Sequence, residues 1–213
     1  VGDGFSGDYP QRPLRVAVPE GVSFTSVAAG GSHFLALDGK GRAWAWGRNF
    51  DGEFGDGSTG SENVAVPVGV SMPEGVSFVD VAAGEQHSLA LDASGNAWAW
   101  GFGWNGQVGD GSKSGSLVPV GVSMPEGVSF DAIAAGSNRS LALDSEGNVW
   151  AWGSNWSGAL GDDSRDDALV PVNVHAPDGV SFSKIAAGYA HSSAVDDVGR
   201  VWVWGWLSSS QGG

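Results

Sequence analysis

The chain has 213 residues, with 36 glycines, 11 tryptophans and no cysteine, and its ten Lys plus Arg against 24 Asp plus Glu give a formal net charge of −14. Such a surface repels nucleic acid and anionic membranes, and the lack of thiols excludes disulfide staples and thiolate chemistry. No apolar run is long enough to span a bilayer as a helix, and no signal-peptide pattern stands at the start, so Val1 reads as the beginning of a mature or trimmed chain.

Residues 1–20 open with "VGDG" (Val1 to Gly4) and "RPLRV" (Arg12 to Val16), and both patterns return further along as "VGDG" (Val108 to Gly111) and "VPVGV" (Val118 to Val122). From there the chain repeats itself. "GVSF" begins at Gly21, Gly75, Gly127 and Gly179, spaced by 54, 52 and 52 residues. Four units of about 52 residues follow, over 21–74, 75–126, 127–178 and 179–211, the last completed by 1–20, and together they form a single domain over 1–213.

Within a unit four short runs have strand chemistry. The first ends in "AAG", whose small side chains suit a place where several sheets converge on a common axis. The second is "LALD" (Leu35 to Asp38 and its copies), apolar with period two. The turn after it has Asp first and Gly fourth (Asp38 with Gly41, Asp92 with Gly95, Asp144 with Gly147, Asp196 with Gly199), which suits a type I turn between antiparallel strands. The third is "WAWG", with paired tryptophans on one face and Ala or Val on the other. The fourth, "VPVxV", carries Pro67, Pro119 or Pro171; proline cannot donate to a ladder, so this run belongs at the sheet edge. Four-stranded units in radial repetition describe an all-β fold, a β-propeller. The expected ring has four blades, with residues 1–20 supplying the outer strand that the final unit lacks and so covering an open sheet edge. Half of an eight-bladed dimer and a fragment of a larger propeller are the alternatives.

The run "VAAGEQHSLALDASGNAWAWGFGWNGQVGDGS" (Val81 to Ser112) resembles the repeat of the regulator of chromosome condensation family, and all four units carry the pattern. The resemblance implies a propeller whose members are usually seven-bladed, in a family that includes propellers gripping a small GTPase and bacterial propellers that inhibit β-lactamases through loop contacts. Neither activity is carried over. This sequence shows no inserted wedge and has the opposite charge to a chromatin-facing surface.

The repeated residues are explained by folding, so function is sought in what varies. Loops after "AAG" differ at every position: Gly31 and Ser32, Glu85 and Gln86, Ser137 and Asn138 with Arg139 behind them, Tyr189 and Ala190. Loops after "WG" carry Phe50, Trp104, Trp156 and Ser208 at one equivalent place, with Trp206 two residues before Ser208. Aromatic residues on surface loops of a rigid ring make binding faces, although Trp104 and Trp156 are equally explained by packing against a neighbouring blade. His33, His87 and His191 recur at one position with Arg139 in the third unit. An arginine there opposes a shared cation, and the resemblance gives this histidine a hydrogen-bonding role, so no metal and no cofactor is expected. His175 lies in a connecting segment and suggests nothing. The acidic turns lack calcium-loop spacing, and no nucleophile elbow or phosphate loop is present, so no catalytic residue is expected. The expected function is a non-enzymatic module that binds another protein through the loops of one face, as a monomer or homodimer, in a bacterial extracellular or cell-surface setting. A carbohydrate-binding propeller, with Phe50, Trp104 and Trp156 stacking on sugars, and a purely structural or engineered scaffold are the alternatives.

Overall fold

Each Asp that opens a tight turn fixes the hairpin around it. Asp38 accepts the Gly41 N–H at 3.0 Å, and its carboxylate takes the amides of Lys40 and Arg42 as well as the Trp44 indole at 2.9, 3.1 and 3.2 Å. Gly41 sits at φ 72°, the left-handed region that closes such a turn. Asp92, Asp144 and Asp196 repeat the arrangement with Trp98, Trp150 and Trp202. The first tryptophan of each "WAWG" therefore belongs to its own hairpin, and its indole N–H is the reason phenylalanine would not serve.

The computed structural model describes residues 12–207 and shows fifteen strands in four antiparallel sheets, with no helix among those residues. The strands are β1 (Phe24–Ala29), β2 (His33–Asp38), β3 (Ala43–Asn49) and β4 (Gly60–Gly69); β5 (Phe78–Ala83), β6 (His87–Asp92), β7 (Ala97–Gly101) and β8 (Ser116–Gly121); β9 (Phe130–Ala135), β10 (Arg139–Asp144), β11 (Val149–Gly153) and β12 (Ala168–Asn173); and β13 (Phe182–Ala187), β14 (His191–Asp196) and β15 (Val201–Gly205). Strands follow chain order within every sheet, and the proline-bearing runs of β4, β8 and β12 stand at sheet edges. This is the propeller blade expected from the repeats.

Cores lie between blades. Leu35, Leu37, Ala43 and Ala45 of the first blade face Phe78, Val81, Ala90 and Trp100 of the second, and two further clusters repeat this at the next seams. Inner strands touch in succession, β1 on β5, β5 on β9 and β9 on β13, whereas β13 and β1 form no comparable packing. Val27 of β1 is 68% exposed where its counterparts Val81 and Ile133 are 7% and 8% exposed. The described residues thus form an open arc of four blades. The fourth sheet has three strands, and residues 12–20, expected as its outer strand, carry no strand; residues 1–4, expected to share in the closure, lie outside the described residues. Closure of the ring was expected to involve residues 1–20 and the end of the last unit, and residues 1–11 and 208–213 lie outside the described residues. Phe34 occupies the first blade's position at which Ser88, Ser140 and Ser192 receive the nitrogen of the blade before, and its ring stacks on Trp46.

Candidate functional site: the loop face

Strand alternation brings the β1–β2 and β3–β4 type connections of every blade to one end of the sheets, so the two sets of variable loops share a face. Contacts between them fix the arrangement: Arg48 N–H donates to Ser32 O at 2.9 Å, Phe102 N–H to Gln86 O at 2.8 Å, and Trp206 N–H to Ala190 O at 2.9 Å.

Beneath the loops, one hydrogen-bond chain crosses each seam. Trp100 Nε1 and Ser88 Oγ both donate to Glu53 O at 2.8 Å, and His33 Nε2 meets Ser88 Oγ at 2.9 Å. Since the serine proton is committed to the carbonyl, His33 must donate from Nε2, which defines its tautomer. His87, Ser140, Gln107 and Trp152 repeat the chain. At the third seam Arg139 Nε donates to Ser192 Oγ at 3.1 Å, and the rest of the guanidinium binds the carbonyls of Gly188, Tyr189 and His191. Arginine replaces histidine here because both offer an N–H in the same direction. Burial holds His33 down to about 4 and His87 to about 3, the latter also through the charges of His33 and Arg139, so both are neutral at pH 7. The histidines are spread over separate seams, and among the described residues no group of three potential ligands could hold a metal ion.

The expected site residues divide into two sets. Tyr189, Trp104, Trp156, Trp206 and Phe50 are 71, 72, 59, 60 and 41% exposed. The Trp104 ring lies 5.6 Å from Phe102, and the Arg48 guanidinium lies 3.8 Å over Phe50. Glu85 is exposed and accepts from Ser137 Oγ. Gln86 and Asn138 are half-buried and join blades, Gln86 Nε2 donating to Asp51 Oδ2 at 2.9 Å and Asn138 Oδ1 accepting from Gln107 Nε2 at 3.4 Å. Arg139 is buried, and its donors are spent in the seam, so it adds nothing to the loop surface.

Two features escape the sequence reading. Where the "AAG" ends converge, the loops enclose an open groove of about 420 Å³ running from Gly31 past Glu85 and Ser137 to Tyr189. Its walls are the repeated alanines and glycines, which read as fold residues. The other is Asp163, the one non-glycine residue with a left-handed backbone (φ 61°) among the described residues, where the first two blades have Gly57 and Gly111. The signal for it was an aspartate inside an otherwise constant "GDG". Carboxylates prevail on this face: Asp51, Asp56, Glu85, Asp110, Asp162, Asp163, Asp166 and Asp167 against Arg48, Lys113 and Arg165.

Comparison with known proteins agrees with this architecture. The chain is 32% identical to the ultraviolet-B receptor UVR8 of Arabidopsis thaliana over 213 residues, covering all of this chain and 48% of the receptor. It is 33% identical over 186 residues to the human E3 ubiquitin-protein ligase HERC2, covering 86% of this chain and 4% of that protein. Apart from such long relatives, the chain spans about half the length of the curated relatives it matches. Solved structures of human WBSCR16 and of yeast RCC1 (Prp20) bound to Kap60 superpose with a TM-score of 0.77 in each case, at 24% identity, over 88% of this chain and 48% and 45% of theirs. A family model for the RCC1-like domain matches residues 4–213, and with blades, seams and relatives in agreement the chain belongs to the RCC1-like domain family.

Proposed function

We propose that this propeller arc is a non-enzymatic module that binds another protein through its loop face. The carrying observation is the placement of Trp104, Trp156, Trp206 and Tyr189, all more than half exposed, on the one face where the repeats differ, above seams that hold the loops rigid. Exposed aromatics on a preorganised surface supply contact area at low entropic cost. Similar propellers of known structure bind proteins: yeast RCC1 is bound to Kap60, and Prp20p binds Gsp1p and histones. Which face those proteins use is not carried over, and the acidic surface here favours a partner of opposite charge.

An extracellular or cell-surface setting remains part of this reading, on the cysteine-free acidic composition; the relatives named above are plant, animal and yeast proteins. The test is affinity capture from the source organism with the chain and with W104S/W156S, combined with a glycan array. A protein retained by the first and lost by the second, with equal melting temperatures, is the expected result. Equal retention by both chains, or array signals that depend on the two tryptophans, would overturn it.

A further inference from the structure

The loop after the second tryptophan of a blade reaches into the next seam at one repeated position, filled by Glu53, Gln107 and Ala159. The backbone carbonyl at that position takes the indole and serine protons of the seam, so its side chain is held wherever the seam is closed. Gln107 is fully buried and uses both ends of its carboxamide: Oε1 accepts the Asn105 N–H at 3.0 Å, and Nε2 donates to Asn138 Oδ1 at 3.4 Å. Ala159 leaves the crossing to Ser157, whose Oγ donates to Ala190 O at 2.9 Å. Glu53 is 1% exposed and keeps the first half of the Gln107 pattern, its Oε2 accepting the Asp51 N–H at 2.8 Å. Its Oε1 takes the place of the Gln107 donor, is buried, and has no partner among the described residues.

A carboxylate oxygen can only accept, so an ionised Glu53 would leave a buried charge half satisfied, whereas a protonated one offers a donor where Gln107 has its Nε2. The acceptor opposite is Gln86, the counterpart of Asn138: its Nε2 is given to Asp51 Oδ2 at 2.9 Å, and its amide oxygen is free to accept. We propose that Glu53 is a proton-operated latch on the loop that carries Arg48 and Phe50: with a proton on Oε1 it closes the first seam as the Gln107 carboxamide closes the second, and on losing that proton it loosens the loop. The charges acting on Glu53 come from its own loop, the Asp51 carboxylate opposing ionisation and the Arg48 guanidinium favouring it. From the blades packed around it come Gln86, Ser88 and His33, the last held uncharged by burial, while Glu85, beside Gln86, accepts from Ser137 of the third blade instead. Burial is the largest influence and raises the Glu53 carboxyl above its ordinary 4.5, against the hydrogen bonds from its own and the Asp51 N–H. The folded arc thus holds this proton more tightly than the unfolded chain does. The stability that the latch contributes is complete below pH 4.5 and is lost as pH rises through the raised value.

E53Q installs the residue of the second seam and cannot titrate, so folding is not at stake. The melting temperature of E53Q minus that of the unmodified chain should be smallest at pH 4 and grow by about 2–4 °C toward pH 8. The histidine response is common to both chains and cancels in the difference. E126Q, which removes an exposed carboxylate, should show no such trend. Infrared spectra of the unmodified chain at pH 5.5 should contain a protonated-carboxyl band that E53Q lacks. Amide hydrogen exchange at Asp51 and Phe54 should quicken severalfold between pH 5 and pH 8 relative to the same amides in E53Q. A melting-temperature difference that is the same at every pH, a missing carboxyl band, or exchange that keeps step with E53Q would overturn the inference. So would an E53Q chain less stable than the unmodified one at pH 8, which would mean that the carboxylate is paired with Arg48.

Discussion

At the scale of single residues, the seams convert burial into a pH response. His33 and His87 offer only an N–H to a serine whose proton is already committed, so each ring is held neutral with Nδ1 buried and unpartnered. An unfolded chain protonates these rings near their ordinary value of 6.5, whereas the folded arc resists until about 4 and 3. The stability they contribute is therefore complete above pH 6.5 and is lost as pH falls toward those values. Asp38 acts in the same direction at lower pH. Burial raises its carboxyl, but hydrogen bonds from the Arg42 side chain, the Lys40 and Arg42 amides and Trp44 outweigh it and lower it to about 2, so its share is lost between 3.8 and about 2. Melting temperature measured from pH 7 to pH 4 should fall steadily, by an amount on the order of a few kcal/mol of stability, and H87Q should flatten the slope. A profile level over that range would contradict buried neutral histidines.

At the scale of elements, the glycines divide by what surrounds them. Gly109 and Gly127 both have a left-handed backbone, at φ 77° and 75°, but a Cβ on Gly109 would stand 2.6 Å from Trp152 Nε1, while one on Gly127 would meet nothing within 4 Å. G127A should cost only the backbone term, about 1–2 kcal/mol. G109A should cost more, because the indole it displaces donates to Gln107 O and fills the seam. Chemical denaturation of the two variants measures the difference, and equal losses would mean that the seam is loose. The strands themselves were legible from local sequence. Period-two runs, edge prolines and the Asp-first, Gly-fourth turns each have a local physical cause. The paired tryptophans were read as packing residues, and the structure adds that the two members of a pair have different partners, one in its own turn and one in the loop of the preceding blade. Nothing local could show that, since the second partner lies 45–47 residues away.

For the whole molecule, what decides behaviour is which blade faces are covered. Val27 and Val81 are equivalent in sequence, yet the first looks into solvent and the second into a seam. V27K should leave the melting temperature nearly unchanged, whereas V81K, which buries an unpaired ammonium, should destabilise by several kcal/mol. A large loss in V27K would mean that the first blade is covered in solution, and the extent of that loss as a function of concentration would report on a second copy.

Repeat length, blade composition, edge strands and the family pattern were all determined by the sequence alone, because each follows from local turn chemistry or from a period that can be counted. The candidate face was partly legible as well: variation among otherwise identical units singled out the loops of Phe50, Trp104, Trp156 and Tyr189, and strand alternation brings them together. Arg139 shows the limit. Directly after the variable Ser137 and Asn138 in sequence, it is buried by the blade that follows, and nothing local marks that. Only the tertiary structure showed how the blades are joined, since each seam pairs residues far apart in the chain, His33 with Ser88, His87 with Ser140 and Arg139 with Ser192, and no local pattern names such partners.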